Sequence, residues 1–283
     1  MEDEEGYINL VSKILSNGKI FTNDSHITLY IFGTQLKFNL TDKFPILTTK
    51  FISLYNVANE LLWFISGSCD TKDLSKKGVC IWDGNSTREY LDSKKFYNYP
   101  VGIIGPSYGY QMRNFGGEYG NDDVKGKDQI KYIIDKIQND PESRSIIMSL
   151  WNPIDVHKTS LHPCHILSQF DVNEGKLNCS MYMRSVDVGL GLPYNISSYS
   201  LLTYILSHIC HLTPGTLTMS LGNTHIYLDH IEPLKKQMKN SIYPFPTLRI
   251  NRQITDIADF TSDDFTLINY KHHGKIYMKL TTI

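Results

Sequence analysis

Residues 161–195 constrain this chain more than any other stretch. They open as Leu161-His162-Pro163-Cys164-His165, continue through two alternating apolar runs at 166–172 and 177–184, and close as Arg184-Ser185-Val186-Asp187-Val188-Gly189-Leu190-Gly191-Leu192-Pro193-Tyr194-Asn195. Runs of that length, bounded by the polar turn Asn173-Glu174-Gly175-Lys176, predict a β-hairpin. A hairpin returns the chain, so Arg184 is expected near Cys164. A cation beside a thiol lowers its pKa from about 8.5, which makes a thiolate nucleophile available at neutral pH.

The rest of the chain predicts helices and strands in alternation. Tyr7, Leu10, Val11 and Ile14 recur at helical spacing, with Gly18 as a stop. Residues 27–33 and 35–40 read as a strand pair around Gly33. Leu54, Val57, Leu61, Leu62 and Ile65 line a helix face, with Ser53 as N-cap and Gly67 as terminator. Residues 74–100 read as polar and loop-rich, anchored by Trp82, and 113–127 as a surface excursion. Ile130, Ile133, Ile134 and Ile137 mark a further helix, followed by a strand over 144–152. Pro193 suits the first turn of a long helix, expected to end at Pro214-Gly215, before a strand at 217–221 that leads to His225 and Tyr227. His225 and Tyr227 lie two apart on extended chain, so both can face one pocket. The expected fold is mixed α+β, one domain over 1–283.

Composition narrows the function classes. An apolar fraction of 41% in 283 residues supports a sizeable core, and a net charge of −1 argues against a general nucleic-acid surface, so no DNA partner is expected. The five cysteines, Cys69, Cys80, Cys164, Cys179 and Cys210, are odd in number and form no CxxC pair. That pattern argues against a disulfide framework and a zinc site. The acidic start, Met1-Glu2-Asp3-Glu4-Glu5, does not read as a secretory signal, and no apolar run is long enough to span a membrane. A cytoplasmic protein, or a nuclear one, is the expectation.

The chain resembles the thymidylate synthase family. Pro163-Cys164-His165 matches the family's nucleophile motif, and residues 184–195 match its Arg-Ser-x-Asp-x-x-x-Gly-x-Pro-x-Asn run. The likeness continues through Glu60-Leu61-Leu62-Trp63-Phe64 and Gly222-Asn223-Thr224-His225-Ile226-Tyr227 and covers nearly the whole chain. It implies a large twisted mixed sheet with surrounding helices, paired back to back as a homodimer. The activity implied is reductive methylation of deoxyuridylate (dUMP), with methylene-tetrahydrofolate giving both the carbon and a hydride. Catalytic roles fall to Cys164, Glu60, Tyr108, Asn195, Arg184 and Asp187. Arg144, His165, Arg184, Ser185, Asp187, Asn195, His225 and Tyr227 would bind the nucleotide, with Arg144 lent across the dimer interface. Trp82, Asp187 and Thr282 would bind the folate, and no metal or nicotinamide is implied.

Read alone, several of these residues have plainer explanations. Glu60 beside an apolar helix face reads as a solvated carboxylate, Tyr108 as a packed aromatic, and Asn195 as a helix cap. An amide at 195 also suits uracil, since it can donate to O4 and accept from N3–H. Cys164, His225 and Asn195 are the residue types of a papain-like hydrolase, but their order and the missing oxyanion Gln argue against it. Other readings are a pyrimidine nucleotide hydroxymethylase of the same family and a non-catalytic nucleotide- or RNA-binding paralogue. The last draws on departures from the family's four phosphate-binding arginines. Ser145 and Asn23 stand at two of those positions, leaving Arg184 and Arg144, with Lys19, Lys50 or His26 as compensating cations. Phe51 and Ser53 stand where some members carry Arg and His near the folate.

Overall fold

The turn Glu174-Gly175 closes the predicted hairpin. Both residues take positive φ, 50° and 71°, so Asn173 pairs directly with Lys176, as in the primed turns that match strand twist. The structure is a computed structural model and describes residues 3–22 and 26–280.

Six strands form the main sheet: β1 (Lys19–Thr22), β2 (Ile27–Asn39), β3 (Ile147–Ser149), β4 (His165–Asn173), β5 (Lys176–Asp187) and β6 (Thr213–Tyr227), in the spatial order β1-β2-β6-β5-β4-β3. Among the described strands only β5 and β6 run parallel. A small second sheet pairs β7 (Thr247–Ile250) with β8 (Phe265–Ile268). The helices are α1 (Asp3–Asn17), α2 (Leu54–Ser66), α3 (Lys72–Ser75), α4 (Arg88–Ser93), α5 (Tyr108–Asn114), α6 (Gln129–Asn139), α7 (Gly191–Ile209) and α8 (Ile231–Gln237). The expected mixed α+β class, with a large mixed sheet, is the observed one. No described helix is long and apolar enough to cross a membrane.

The period-2 rule of strands sorts the sheet into two faces. Leu36 and Phe38 of β2, Met219 and Leu221 of β6, Met181 and Met183 of β5, and Phe170 of β4 are buried on one face. Gln35, Lys37, Leu167 and Gln169 are exposed on the other. Parallel pairing of β5 and β6 requires a crossover, and α7 supplies it across the buried face. Helix α7 is largely buried, which favours hydroxyls bonded within the protein, although Ser207 Oγ has no partner among the described residues. Ser200 and Thr203 donate to the carbonyls of Ile196 and Tyr199, each at 2.8 Å, and Ser197 donates to Pro45 O at 3.0 Å.

Helix α2 starts and stops where its capping residues dictate. Ser53 Oγ accepts from Asn56 N at 3.2 Å, and Gly67 takes the left-handed conformation (φ 82°) with its N–H on Phe64 O. Elsewhere local signals mislead. The expected strand pair around Gly33 is one strand: Gly33 bends it at φ 74°, yet Phe32 still pairs with Asn223 and Thr34 with Leu221. Helix α7 ends at Ile209, short of Pro214-Gly215, because His211 turns the chain at φ 55°. Pro214 already sits in β6, where the β5 pairing shifts register. The strand expected over 144–152 is reduced to Ile147–Ser149. The loop-rich segment 74–100 carries α4, whose N-cap Thr87 accepts from Tyr90 N at 3.1 Å.

A buried carboxylate ties α1 to the segment that leads into α2. Glu4 is 1% exposed. Its two oxygens accept from the backbone N–H of Thr48 and Thr49 at 2.8 Å each and from their hydroxyls at 2.5 and 2.6 Å. Replacing it strands donors away from water, at about 1–3 kcal/mol. Glu4→Ala is therefore expected to lose about 2–3 kcal/mol of stability. In urea unfolding the midpoint should fall with the slope unchanged, and an unmoved midpoint contradicts the clamp.

Candidate active site

Cys164 is placed by the residues on either side of it in space. It precedes β4, opposite the end of β5, where Arg184 N donates to its carbonyl at 2.8 Å. The Arg184 guanidinium donates from Nε to Pro163 O at 2.7 Å and from Nη2 to His162 O at 2.8 Å. These carbonyls fix its plane and leave Nη2 4.0 Å from Cys164 Sγ. Tyr108 opens α5, and its hydroxyl accepts the Cys164 N–H at 2.7 Å. The phenol ring lies 4.0 Å from the His165 ring, stacked at 10°, and His165 Nδ1 meets Tyr199 Oη at 2.8 Å.

The guanidinium does reach the thiol, but the expected depressed pKa is not found. Burial pushes the Cys164 thiol up, and Arg184 and the Tyr108 hydroxyl only partly offset that, so the net direction is upward. The loss of water around a would-be thiolate outweighs one cation at 4.0 Å. Burial also pushes His165 down to about 3, so its imidazole is neutral.

Two pockets meet at Cys164. The larger, about 630 Å³, runs from the thiol past Arg184, Ser185 and Asn223 to His26, Lys94, His157 and His162. The smaller, about 350 Å³, lies over Glu60, Trp82, Tyr108, His165, Asp187 and Asn195, with Met278 and Leu280 on its rim. Leu161, Cys164, Ser185, His225 and Tyr227 line both. His225 and Tyr227 thus face one side, as their spacing predicts, with His225 Nδ1 2.9 Å from Asn223 Oδ1.

The smaller pocket overturns the plain reading of Glu60. That carboxylate is 9% exposed and accepts the Trp82 indole N–H at 2.7 Å. Burial raises its pKa to about 7, against a smaller lowering by the indole bond. Trp82 is therefore a polar partner as well as an apolar anchor. Asn195 lies inside α7 and does not cap it, since the N-cap position is Leu190. Among the described residues its amide makes no hydrogen bond, and its Oδ1 lies close to Gly191. Asp187 Oδ1 accepts from Gly189 N at 2.8 Å and Leu190 N at 3.2 Å, and lies 3.4 Å from His230 Nδ1.

Some expected residues lie elsewhere. Arg144 is exposed in the turn before β3 and lines neither pocket. Lys50 is buried, with Nζ donating to Gly189 O at 2.5 Å, so it supports the loop after β5 rather than an anion. Lys19 is exposed on β1. Thr282 and Asn23 lie outside the described residues. Sequence reasoning misses Lys94, His157, His162, Tyr194 and Met278. Of these only His162, adjacent to the Pro163-Cys164 pair, carried a local signal.

A thiol held by an Arg fork, a phenol on its amide and a buried carboxyl across the pocket match the order of motifs along the chain. A family model described as thymidylate synthase matches residues 5–282. The chain belongs to the thymidylate synthase family. Among curated relatives, the bifunctional dihydrofolate reductase-thymidylate synthase 2 of Arabidopsis thaliana is 48% identical over 283 residues, 98% of this chain and 50% of its own length. The bifunctional dihydrofolate reductase-thymidylate synthase of Zea mays is 47% identical, covering 98% of this chain and 54% of its own length. That of Plasmodium chabaudi is 46% identical, covering 98% and 48%. The chain spans about half the length of the curated relatives it matches.

The raised Glu60 pKa has a stability cost in this thymidylate synthase family site. A carboxyl with a folded pKa near 7 holds its proton more tightly in the native state than when unfolded. The contribution of Glu60 to stability is thus greatest below the unfolded value of about 4.3 and declines as pH rises toward 7. Glu60→Gln, which keeps an acceptor for Trp82, is expected to stabilise the fold by roughly 2 kcal/mol at pH 8 and little at pH 4.5. Thermal unfolding of both proteins at the two pH values checks this, and an equal change at both contradicts it.

Proposed function

We propose that this chain carries thymidylate synthase activity: reductive methylation of deoxyuridylate at C5 by methylene-tetrahydrofolate, through a Cys164 adduct at C6. The observation that carries the reading is the position of Cys164 on the common wall of a cation-lined pocket and a pocket holding Glu60, Trp82 and Asn195. C5 of uracil is a poor nucleophile, and addition of the thiolate to C6 makes it an enolate carbon.

The residues divide the work accordingly. Arg184 stabilises the thiolate as it forms, offsetting the burial that favours the thiol. Asn195 donates to O4 and accepts from N3–H, so charge developing on the ring meets a preorganised donor. Glu60, with a pKa near 7, exchanges protons at neutral pH. Tyr108 is a neutral phenol, its pKa raised by burial, and helps carry away the C5 proton. His225 and Tyr227 bind the deoxyribose hydroxyl, Ser185 the phosphate, and His165 packs beneath the base. Asp187, Trp82 and Thr282 serve the folate. Residues 1–283 act as one unit in this scheme. The free cysteines fit a reducing compartment such as the cytoplasm.

Fluorodeoxyuridylate with methylene-tetrahydrofolate is expected to form a stable adduct on Cys164, read as an intact-mass increase mapped to the peptide containing it. Adduct formation by Cys164→Ser at the unmutated rate would exclude the mechanism. Release of dihydrofolate, followed by absorbance, separates this activity from hydroxymethyl transfer, which makes none.

We further propose a back-to-back homodimer in which Arg144 serves the partner's nucleotide. Two observations support it. The sheet face bearing Gln35, Lys37, Leu167, Gln169 and Ile147 is uncovered. Arg144, exposed beside edge strand β3, has no role in its own chain's pockets. Arg144→Ala and Cys164→Ala, each nearly inactive alone, should then recover activity when mixed. Statistical exchange makes about half the dimers mixed, each with one intact site, so activity should approach roughly a quarter of the unmutated level. No recovery after exchange verified by mass sinks the shared site.

A further inference from the structure

The larger pocket is unusual in its charges. Its described lining includes Arg184, Lys94 and the imidazoles of His157 and His162, and no carboxylate. Uncompensated cations on a concave wall make an anion site. The wall is built rather than incidental. Lys94 Nζ lies 5.4 Å from the centre of the Tyr90 ring, and the Tyr90 hydroxyl donates to Ser160 O at 3.1 Å. Arg88 pins the same segment, donating to Phe96 O at 2.8 Å and Tyr99 O at 2.7 Å. On the facing side, the His162 carbonyl holds Arg184 Nη2, and the His162 ring meets Trp151 edge to face at 6.3 Å. Two segments distant in sequence, 88–99 and 157–162, thus bring a lysine and a histidine to the guanidinium beside the nucleophile.

We propose that Lys94 and His162, with Arg184, form this chain's own share of a dianion subsite that takes the substrate's phosphate monoester, and that His162 takes up a proton when the dianion binds. Naming that anion as the nucleotide's phosphate rests on the activity proposed above; the subsite itself does not. The groups facing His162 are Arg184 on β5, Lys94 beyond α4, and the Cys164 thiol, with His26, His157, His225 and Tyr90 elsewhere on the wall. In the empty pocket, partial burial and the two cations hold the His162 pKa below the ordinary histidine value. A bound dianion reverses that field, so binding is expected to strengthen as pH falls through about 6.5.

Sulfate, a dianion throughout this range, and deoxyuridylate against deoxyuridine are the probes, each measured by titration calorimetry at pH 6 and pH 8. In the unmutated protein, sulfate is expected to bind at least about threefold more tightly at pH 6, with proton uptake revealed by buffers of different ionisation heat. Lys94 is exposed, so Lys94→Ala and Lys94→Glu are tolerated by the fold. They should weaken sulfate and deoxyuridylate by about three- to tenfold or more, leaving deoxyuridine unchanged. His162→Gln should abolish the proton uptake. Sulfate affinity within twofold of normal in both Lys94 variants overturns the subsite, as does undiminished proton uptake in His162→Gln. If sulfate binds as expected and neither nucleoside nor nucleotide does, the subsite stands and the deoxyuridylate reading fails. If deoxyuridylate binds with its full phosphate advantage in every variant, the activity stands and this inference fails.

Discussion

The parallel pairing of β5 with β6 is the constraint from which the site follows. In that register Ser185 lies opposite Asn223 and Asp187 opposite His225, so residues some forty positions apart share one edge. Two parallel neighbours cannot be joined by a tight turn, and the crossover that joins them is α7. It begins at Gly191, just past the end of β5 at Asp187, which brings Asn195 to the same end of the sheet. The antiparallel partner β4 starts at His165, with Cys164 immediately before it and against Arg184. One topological requirement therefore delivers a thiol, a guanidinium, a carboxylate, an amide and an imidazole to one rim. The glycines there allow close approach: a Cβ on Gly222 would stand 2.8 Å from both Arg184 O and Tyr182 Oη.

Burial then sets the chemistry of that rim. It works against charge, raising the Cys164 thiol and the Glu60 carboxyl alike. The result is a rim of neutral groups surrounded by fixed donors. Electrostatic stabilisation acts most strongly where water has been removed. The cost is held in the fold: Glu60 lies among nine consecutive buried residues of α2, from Val57 to Ile65.

The parts of this structure that were legible in the sequence are those fixed by neighbours along the chain. Ser53, Gly67 and the Glu174-Gly175 turn act within three or four residues, and each does locally what its chemistry dictates. The nucleophile motif and the run ending at Asn195 were also legible, because spacing alone puts their residues on a hairpin and a following helix. Gly33 and Pro214 misled because tertiary pairing overrides local punctuation: both sit in strands that β6 and β5 hold in register. Glu60 was obscure for a related reason, since its environment is made by Trp82, twenty-two residues away. Lys94 was invisible: nothing nearby in sequence reveals that Tyr90 and Ser160 dock its segment against the loop carrying Cys164. The thiol's pKa was misjudged because sequence shows the cation but not the removal of water.

His230 gives one buried contact a wider reach. It is fully buried, with Nε2 2.8 Å from Lys279 O and Nδ1 3.4 Å from Asp187 Oδ1, the latter an ion-pair distance rather than a well-formed hydrogen bond. A ring between two acceptors is satisfied on both sides only as the imidazolium. Burial opposes that charge, yet Asp187, Lys279 O and Asp229 outweigh it and raise the pKa. The carboxylate on the pocket floor and the chain segment at its rim thus meet on opposite sides of one imidazole ring. By thermodynamic reciprocity, whatever displaces His230 from Asp187 acts on the seating of residues 278–280, and whatever moves those residues acts back on Asp187.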